Sequence, residues 1–176
     1  KPYFNQYETW RNKGLEIAKN IVDKQDQSVI ITMLDLTRYY YNINLTKTKF
    51  DRITQTEKES FEVKRINSLI YKIFNKYSSL LGEKSKTILP IGFLPSNIFA
   101  NAYLCNLDIK LNGLKGTVYY GRYVDDMILV TSVENQSSLY SRVIDKGIDE
   151  VVSYMLDQLS NEQIFDVRDD NISIIG

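Results

Sequence analysis

Residues 117–130 read TVYYGRYVDDMILV, and the pair Asp125–Asp126 interrupts an otherwise apolar, β-branched and aromatic ribbon. Two such runs on either side of a short polar break are the pattern of a β-hairpin. The tip of that hairpin then carries two adjacent carboxylates. Ionised carboxylates repel each other, and burying them without a partner is costly. A divalent cation relieves both problems. The alternative is a solvated turn, since Asp is a favoured turn residue.

Residues 28–36 (SVIITMLDL) form an apolar run of strand length that delivers Asp35 at its end. Upstream, Trp10, Leu15, Ile17, Ala18, Ile21 and Val22 recur at helical spacing from Tyr7 to about Lys24, with Gly14 a local weakness. A second helix is predicted over the segment containing Phe61, Ile66, Leu69, Ile70, Ile73, Phe74 and Tyr77, with Lys on its opposite face. A loop marked by Pro90 and Gly92 comes next. A third helix is predicted over 95–111, with Ile98, Phe99, Ala102, Tyr103, Leu107 and Leu111 toward a core. Residues 137–159 read as a further helix, and NISIIG as a strand. The order α-β-α-α-ββ-α-β predicts an α+β sheet with helices packed on it.

Composition limits the chemistry. The 176 residues suffice for one domain with a real core. No apolar run approaches the roughly 20 residues of a membrane span, and no signal-peptide pattern opens the chain. The single Cys105 excludes an intramolecular disulfide and suits a reducing cytosol. There is no His, which removes His triads, common zinc sites and a His general base. Carboxylates with a hard, oxygen-loving metal are the tools left. Net charge is zero, yet residues 1–90 hold 16 basic and 10 acidic groups, against 6 and 12 in the remainder. A basic half beside an acidic half fits a polyanion binder, and equally a merely dipolar surface.

Asp35 and Asp125 are 90 residues apart, so a sheet that joins their strands gathers three carboxylates from distant parts of the chain. Such a set suits a two-metal phosphoryl-transfer site. At this point three blocks resemble the reverse transcriptases. YVDD between apolar strands is similar to their motif C, ITMLDLTRYYYNI to motif A, and LPIGFLPSNIFANAYL to motif B. The resemblance spans nearly the whole chain. It implies a polymerase palm over residues 1–176, with a remnant of the fingers, most of the fingers missing on the N-terminal side and the thumb missing on the C-terminal side. The LPIG, GRYVDD and YETWRNKGL stretches look most like prokaryotic defence-associated enzymes of the abortive-infection and "unknown group" types, and retron and group II intron enzymes share much of the pattern.

The resemblance implies roles for individual positions. Asp35 and Asp125 would ligate two Mg²⁺ ions, for which Mn²⁺ could substitute, with the Leu36 carbonyl as an additional ligand and Asp126 as a supporting carboxylate. Tyr40, five residues after Asp35, matches the aromatic gate that excludes a ribose 2′-OH. Ile91 and Gly92 would lie at the nucleotide, Gly92 by allowing close backbone approach, and Tyr123 near the primer end. The substrates would be dNTPs added to a 3′-OH or a protein hydroxyl, the product DNA, and the place the prokaryotic cytoplasm, without a membrane. An RNA template or non-coding RNA and further copies of the chain are partners the family admits. Some relatives synthesise without a template, and thirteen Tyr offer hydroxyls for priming.

Plainer readings stand beside these. Asp35 could cap a helix, Tyr39, Tyr40 and Tyr41 could be core aromatics, Pro90 and Gly92 a simple turn, and Ser96 a cap. Lys58, Lys64, Lys72 and Lys76 suit a solvated helix face as well as a nucleic-acid track. Departures from the family matter too. Ile91 replaces a Gln that hydrogen-bonds near the nucleotide. Gln163 stands about where motif D has a Lys, and the nearby Arg168 is a poor acid. The alternatives are an RNA-templated retron or intron-type enzyme, a non-catalytic nucleic-acid-binding palm, which three intact Asp argue against, and a nucleotide cyclase.

Overall fold

The carboxylates are carried by strands β1 (Ser28–Leu36), β2 (Thr117–Tyr123), β3 (Asp126–Val133) and β4 (Ile172–Ile175) or the turns between them. The four form one antiparallel sheet in the order β2-β3-β1-β4. The structure, a computed structural model, describes residues 2–25, 27–55, 60–134, 137–147, 149–150, 153–154, 157 and 172–175. The chain divides into two compact units, one of residues 1–37 with 106–176 and the other of residues 38–105. An α+β class is borne out, with helices packed on an antiparallel sheet.

In the first unit β3 is paired on both edges and buried continuously from Met127 to Thr131. That burial is why its sequence is a run of apolar residues and not an alternation. One face of the sheet is covered by α1 (Pro2–Gln25), through Ala18, Ile128 and Val130, with Trp10, Val29 and Tyr119 packed around them. Complete burial of an aliphatic side chain such as Ile128 is worth about 1.5–3 kcal/mol.

Gly14 is not a defect in this helix. A Cβ there would lie 3.0 Å from the Tyr119 ring and 3.1 Å from Ile128. The missing side chain lets α1 approach the sheet, and the Tyr119 hydroxyl ties the two by donating to the Trp10 carbonyl at 2.7 Å. Leu15 and Val22, expected in the core, are exposed, because Ala18 and Ile21 occupy the buried stripe.

The helix expected over 95–111 is two helices, α5 (Leu94–Tyr103) and α6 (Cys105–Asn112). At Leu104 the backbone N–H bonds to the Asn101 and Ala102 carbonyls, a tightened turn that ends the α-helical register. Phe99, Leu107 and Leu111 are buried as expected, but Ile98 is exposed. The helix expected at 137–159 is present as α7 (Ser138–Lys146), and most of residues 148–159 lie outside the described residues.

The second unit holds α2 (Tyr39–Asn42), α3 (Lys47–Thr54), α4 (Phe61–Leu80) and α5. Its core is aromatic. Phe50 stacks on Phe99 at 4.6 Å, and Phe74 meets Phe99 edge-on at 5.4 Å. Helix α3 is too short for its periodicity to stand out in the sequence. Its signal is Thr46, whose side chain caps the helix by accepting from the Lys49 N–H. The apolar stripe expected of α4 is buried at Phe74 and exposed at Phe61, Ile66, Leu69 and Ile73, because the aromatic cluster meets the helix at Phe74. Residues 87–90, expected as a loop, are a loop and yet buried. The segment is held by Leu45 N–H donating to the Thr87 carbonyl at 2.9 Å, Leu89 N–H to the Tyr40 carbonyl at 3.1 Å, and Ile88 N–H to the Ser78 hydroxyl at 2.9 Å.

Candidate active site

The ladder between β1 and β3 runs in one unbroken register to Leu34 opposite Met127. Asp35 and Asp126 are the next positions on each strand, so they fall as neighbours at the same end of the sheet. On the other side Tyr123 pairs with Asp126, so the two-residue turn is Val124–Asp125, one position earlier than the expected Asp125–Asp126, and Asp126 opens β3. The structure thus brings Asp35, Asp125 and Asp126 together at one end of the sheet, all three partly buried. Leu36 ends β1 beside Asp35 and pairs with Ile172 of β4.

A two-residue hairpin turn of this kind needs a positive φ at its first central residue, which Gly or Asn would supply cheaply. Here that residue is Val124, at φ 58°. A β-branched residue in this region costs about 1–3 kcal/mol and persists only where its surroundings impose it. Backbone strain at a tip that also carries carboxylates is an observation from which a functional hypothesis can start.

The electrostatics agree. Burial pushes the Asp125 carboxyl above the usual carboxylate range; a backbone hydrogen bond opposes this, and the charges of Asp126 and Asp35 add to it. Among the described residues no group of three or more His, Cys, Asp or Glu is gathered closely enough to hold a metal ion as it stands. The donor chemistry nevertheless suits a divalent cation: three hard carboxylate groups, mutually repelling, whose ionised forms a cation would stabilise.

A residue the sequence did not single out joins the tip to the helix beneath it. Arg122 donates from Nε and Nη2 to the two carboxylate oxygens of Asp108 on α6, at 2.6 and 2.7 Å, and from Nη1 to the Val124 carbonyl at 2.8 Å. Tyr120 donates to Asp108 at 2.7 Å. Burial alone would raise the Asp108 carboxyl, but the Arg122 and Tyr120 hydrogen bonds outweigh it and hold it below the ordinary value. In the sequence, only the even spacing of Tyr120 and Arg122 on one strand face hinted at a shared partner.

The second unit holds the other candidate positions, described by themselves. Tyr39 is the core aromatic of its cluster, donating to the Ala100 carbonyl at 2.6 Å, and Tyr41 is exposed. Tyr40 donates to Asn97 Oδ1 of α5 at 2.6 Å. Gly92 has φ 82°, so glycine is required there by the turn itself. The neighbouring Ile91 is 61% exposed. Ser96 does not cap α5: it is fully buried, and its hydroxyl finds no hydrogen-bond partner among the described residues. Lys64, Lys72 and Lys76 are exposed, while Lys58, Gln163 and Arg168 lie outside the described residues.

No described helix is long and apolar enough to cross a membrane. No curated protein and no solved structure matches the chain. A family model described as reverse transcriptase (RNA-dependent DNA polymerase) matches residues 3–164. That span contains the strand ending in Asp35, the Gly92 turn and the Tyr123–Asp126 hairpin. With nearly its whole length inside the match, the chain belongs to the reverse transcriptase family.

Proposed function

We propose that this chain is the palm core of a polymerase that adds deoxynucleotides to a 3′-OH or to a protein hydroxyl, with Asp35, Asp125 and Asp126 as its catalytic carboxylates. The observation that carries the proposal is the meeting at one sheet end of Asp35 with Asp125 in the turn and Asp126 at the start of β3, from strands 90 residues apart. Asp35, Asp125 and the Leu36 carbonyl would hold two Mg²⁺ ions, with Mn²⁺ as a substitute, and Asp126 would support them. Bound there, the ions would supply activation of the attacking hydroxyl and stabilisation of the charge developing on the leaving pyrophosphate. With a 3′-OH primer the attacking oxygen belongs to the substrate, which suits a chain with no His to act as a base.

Tyr40 would occupy the space of a 2′-OH and so select deoxynucleotides. Gly92 would let the backbone approach the nucleotide, Ile91 would line that site without the usual Gln hydrogen bond, and Tyr123 would lie at the primer end. The LPIG and GRYVDD stretches support membership of the prokaryotic antiphage-defence group. The family match supports the second reading, an RNA-templated enzyme with an RNA partner.

The test uses full-length protein with labelled dNTPs and Mg²⁺, with and without RNA template, beside an Asp125→Asn/Asp126→Asn variant. Metal-dependent DNA from the wild type alone is expected. Protease-sensitive, RNase-resistant product without template indicates protein priming, and product only with RNA indicates templated synthesis. Equal absence of product from wild type and variant in every condition would overturn the catalytic assignment.

A further inference from the structure

We infer that Arg122 is a positioning residue that holds the peptide plane leading into Asp125, and that Asp108 is its anchor. The inference rests on the assignment of Asp125 to the polymerase site. Arg122 stands one residue before Tyr123 on β2, its side chain 10% exposed. Two of its nitrogens grip both oxygens of Asp108, a paired geometry that fixes the guanidinium plane and not merely its charge. Tyr120, two residues back on the same face, donates to the same carboxylate and limits its rotation. The third nitrogen, Nη1, is thereby aimed at the Val124 carbonyl.

That carbonyl belongs to the peptide joining Val124 to Asp125. A peptide unit is planar, so fixing its oxygen fixes the plane and with it the amide nitrogen of Asp125. Val124 needs such a hold, because its φ of 58° is a conformation that a β-branched residue leaves unless something retains it. The chain Asp108–Arg122–Val124 therefore links a rigid helix to the acidic turn. The turn keeps the carboxylate aimed while its own residues supply no glycine.

The test is Arg122→Lys in the full-length protein, with Asp108→Asn as a second variant that preserves shape. Lys keeps the positive charge but cannot span both acceptors as a planar fork. Amide hydrogen exchange by NMR, in metal-free protein, should quicken at least tenfold at Asp125 and Asp126 and stay unchanged at Leu129 and Val130. In polymerase assays kcat should fall at least tenfold, with KM for dNTP within twofold; Asp108→Asn should move both readouts the same way, by less. If the variants lower Tm while exchange at the turn and kcat hold, Arg122 only braces the strand against the helix, and the inference fails. If exchange at the turn quickens but wild type and Asp125→Asn are equally inactive, the positioning role stands and the polymerase assignment is what fails.

Discussion

The hydroxyl of Tyr40 donates a 2.6 Å hydrogen bond to Asn97 Oδ1, joining the end of one candidate motif to the helix of another 57 residues later. Under the proposed gate role the ring would discriminate between sugars by bulk, with this bond helping to set its orientation. Tyr40→Ala is expected to admit ribonucleotides, and Tyr40→Phe, which keeps the ring, should retain most of the preference for deoxynucleotides. Asn97→Ala, which removes this bond and leaves the edge contact with Tyr39, should relax selectivity to an intermediate degree. Incorporation of dNTP against rNTP in single-nucleotide assays reads this directly, and unchanged selectivity in Tyr40→Ala removes Tyr40 as the gate.

Asp125 and the metal make a second pair of expectations. Asp125→Asn should reduce synthesis by roughly 10²-fold or more, on the scale of losing a preorganised electrostatic contact. It should not reduce stability, because it removes a carboxylate that burial and the neighbouring Asp126 and Asp35 already push toward its neutral form. Adding Mg²⁺ or Mn²⁺ should raise the wild-type Tm, since a ligand at 100 times its Kd stabilises by about 2.7 kcal/mol. Differential scanning fluorimetry should show that rise for the wild type and not for the variant, and EDTA should abolish both it and synthesis.

The Asp108 carboxylate sets an acid-stability limb. Its native pKa lies below the ordinary value, so the native state releases the proton more readily than the unfolded chain. The resulting stability is fully present above the unfolded value of about 3.9 and is lost as pH falls through the lower native one. Asp108→Asn should therefore be less stable than the wild type at neutral pH, with the gap closing as the pH drops below about 4. Calorimetric Tm values from pH 7 downward test this; a gap that widens on acidification contradicts it.

Gly14 tests the packing of α1. Replacing a mid-helix Gly by Ala ordinarily gains about 1 kcal/mol of helix propensity. Here the added Cβ meets the Tyr119 ring at 3.0 Å, and that ring is pinned by its bond to the Trp10 carbonyl. Overpacking of this kind costs about 1–3 kcal/mol, so Gly14→Ala should be destabilising on balance. A rise in the denaturation midpoint would show that the ring can move aside.

The strands and their carboxylates were legible in the sequence because each is a local pattern: an apolar run ending in Asp35, and a hairpin whose turn holds Asp125. The pieces that were not legible depend on short signals or on partners distant in sequence. Helix α3 and the break at Leu104 arise from a single cap and a tightened turn, which weaken any periodic signal. The exposed stripe of α4 shows that helical period reports an amphipathic face without saying what covers it.

With no His and with Asp35, Asp125 and Asp126 at strand ends, the sequence alone favoured oxygen donors for any metal or acid–base work. It also determined the strands, through composition that fits a buried ladder. The place of Asp35 beside Asp126, the close approach at Gly14 and the reach of Arg122 to both Asp108 and the Val124 carbonyl came from the packed chain. The difference is one of range. Propensity and periodicity act between residues a few positions apart, whereas strand register, steric fit and a forked hydrogen bond act across space between residues that the chain order keeps distant.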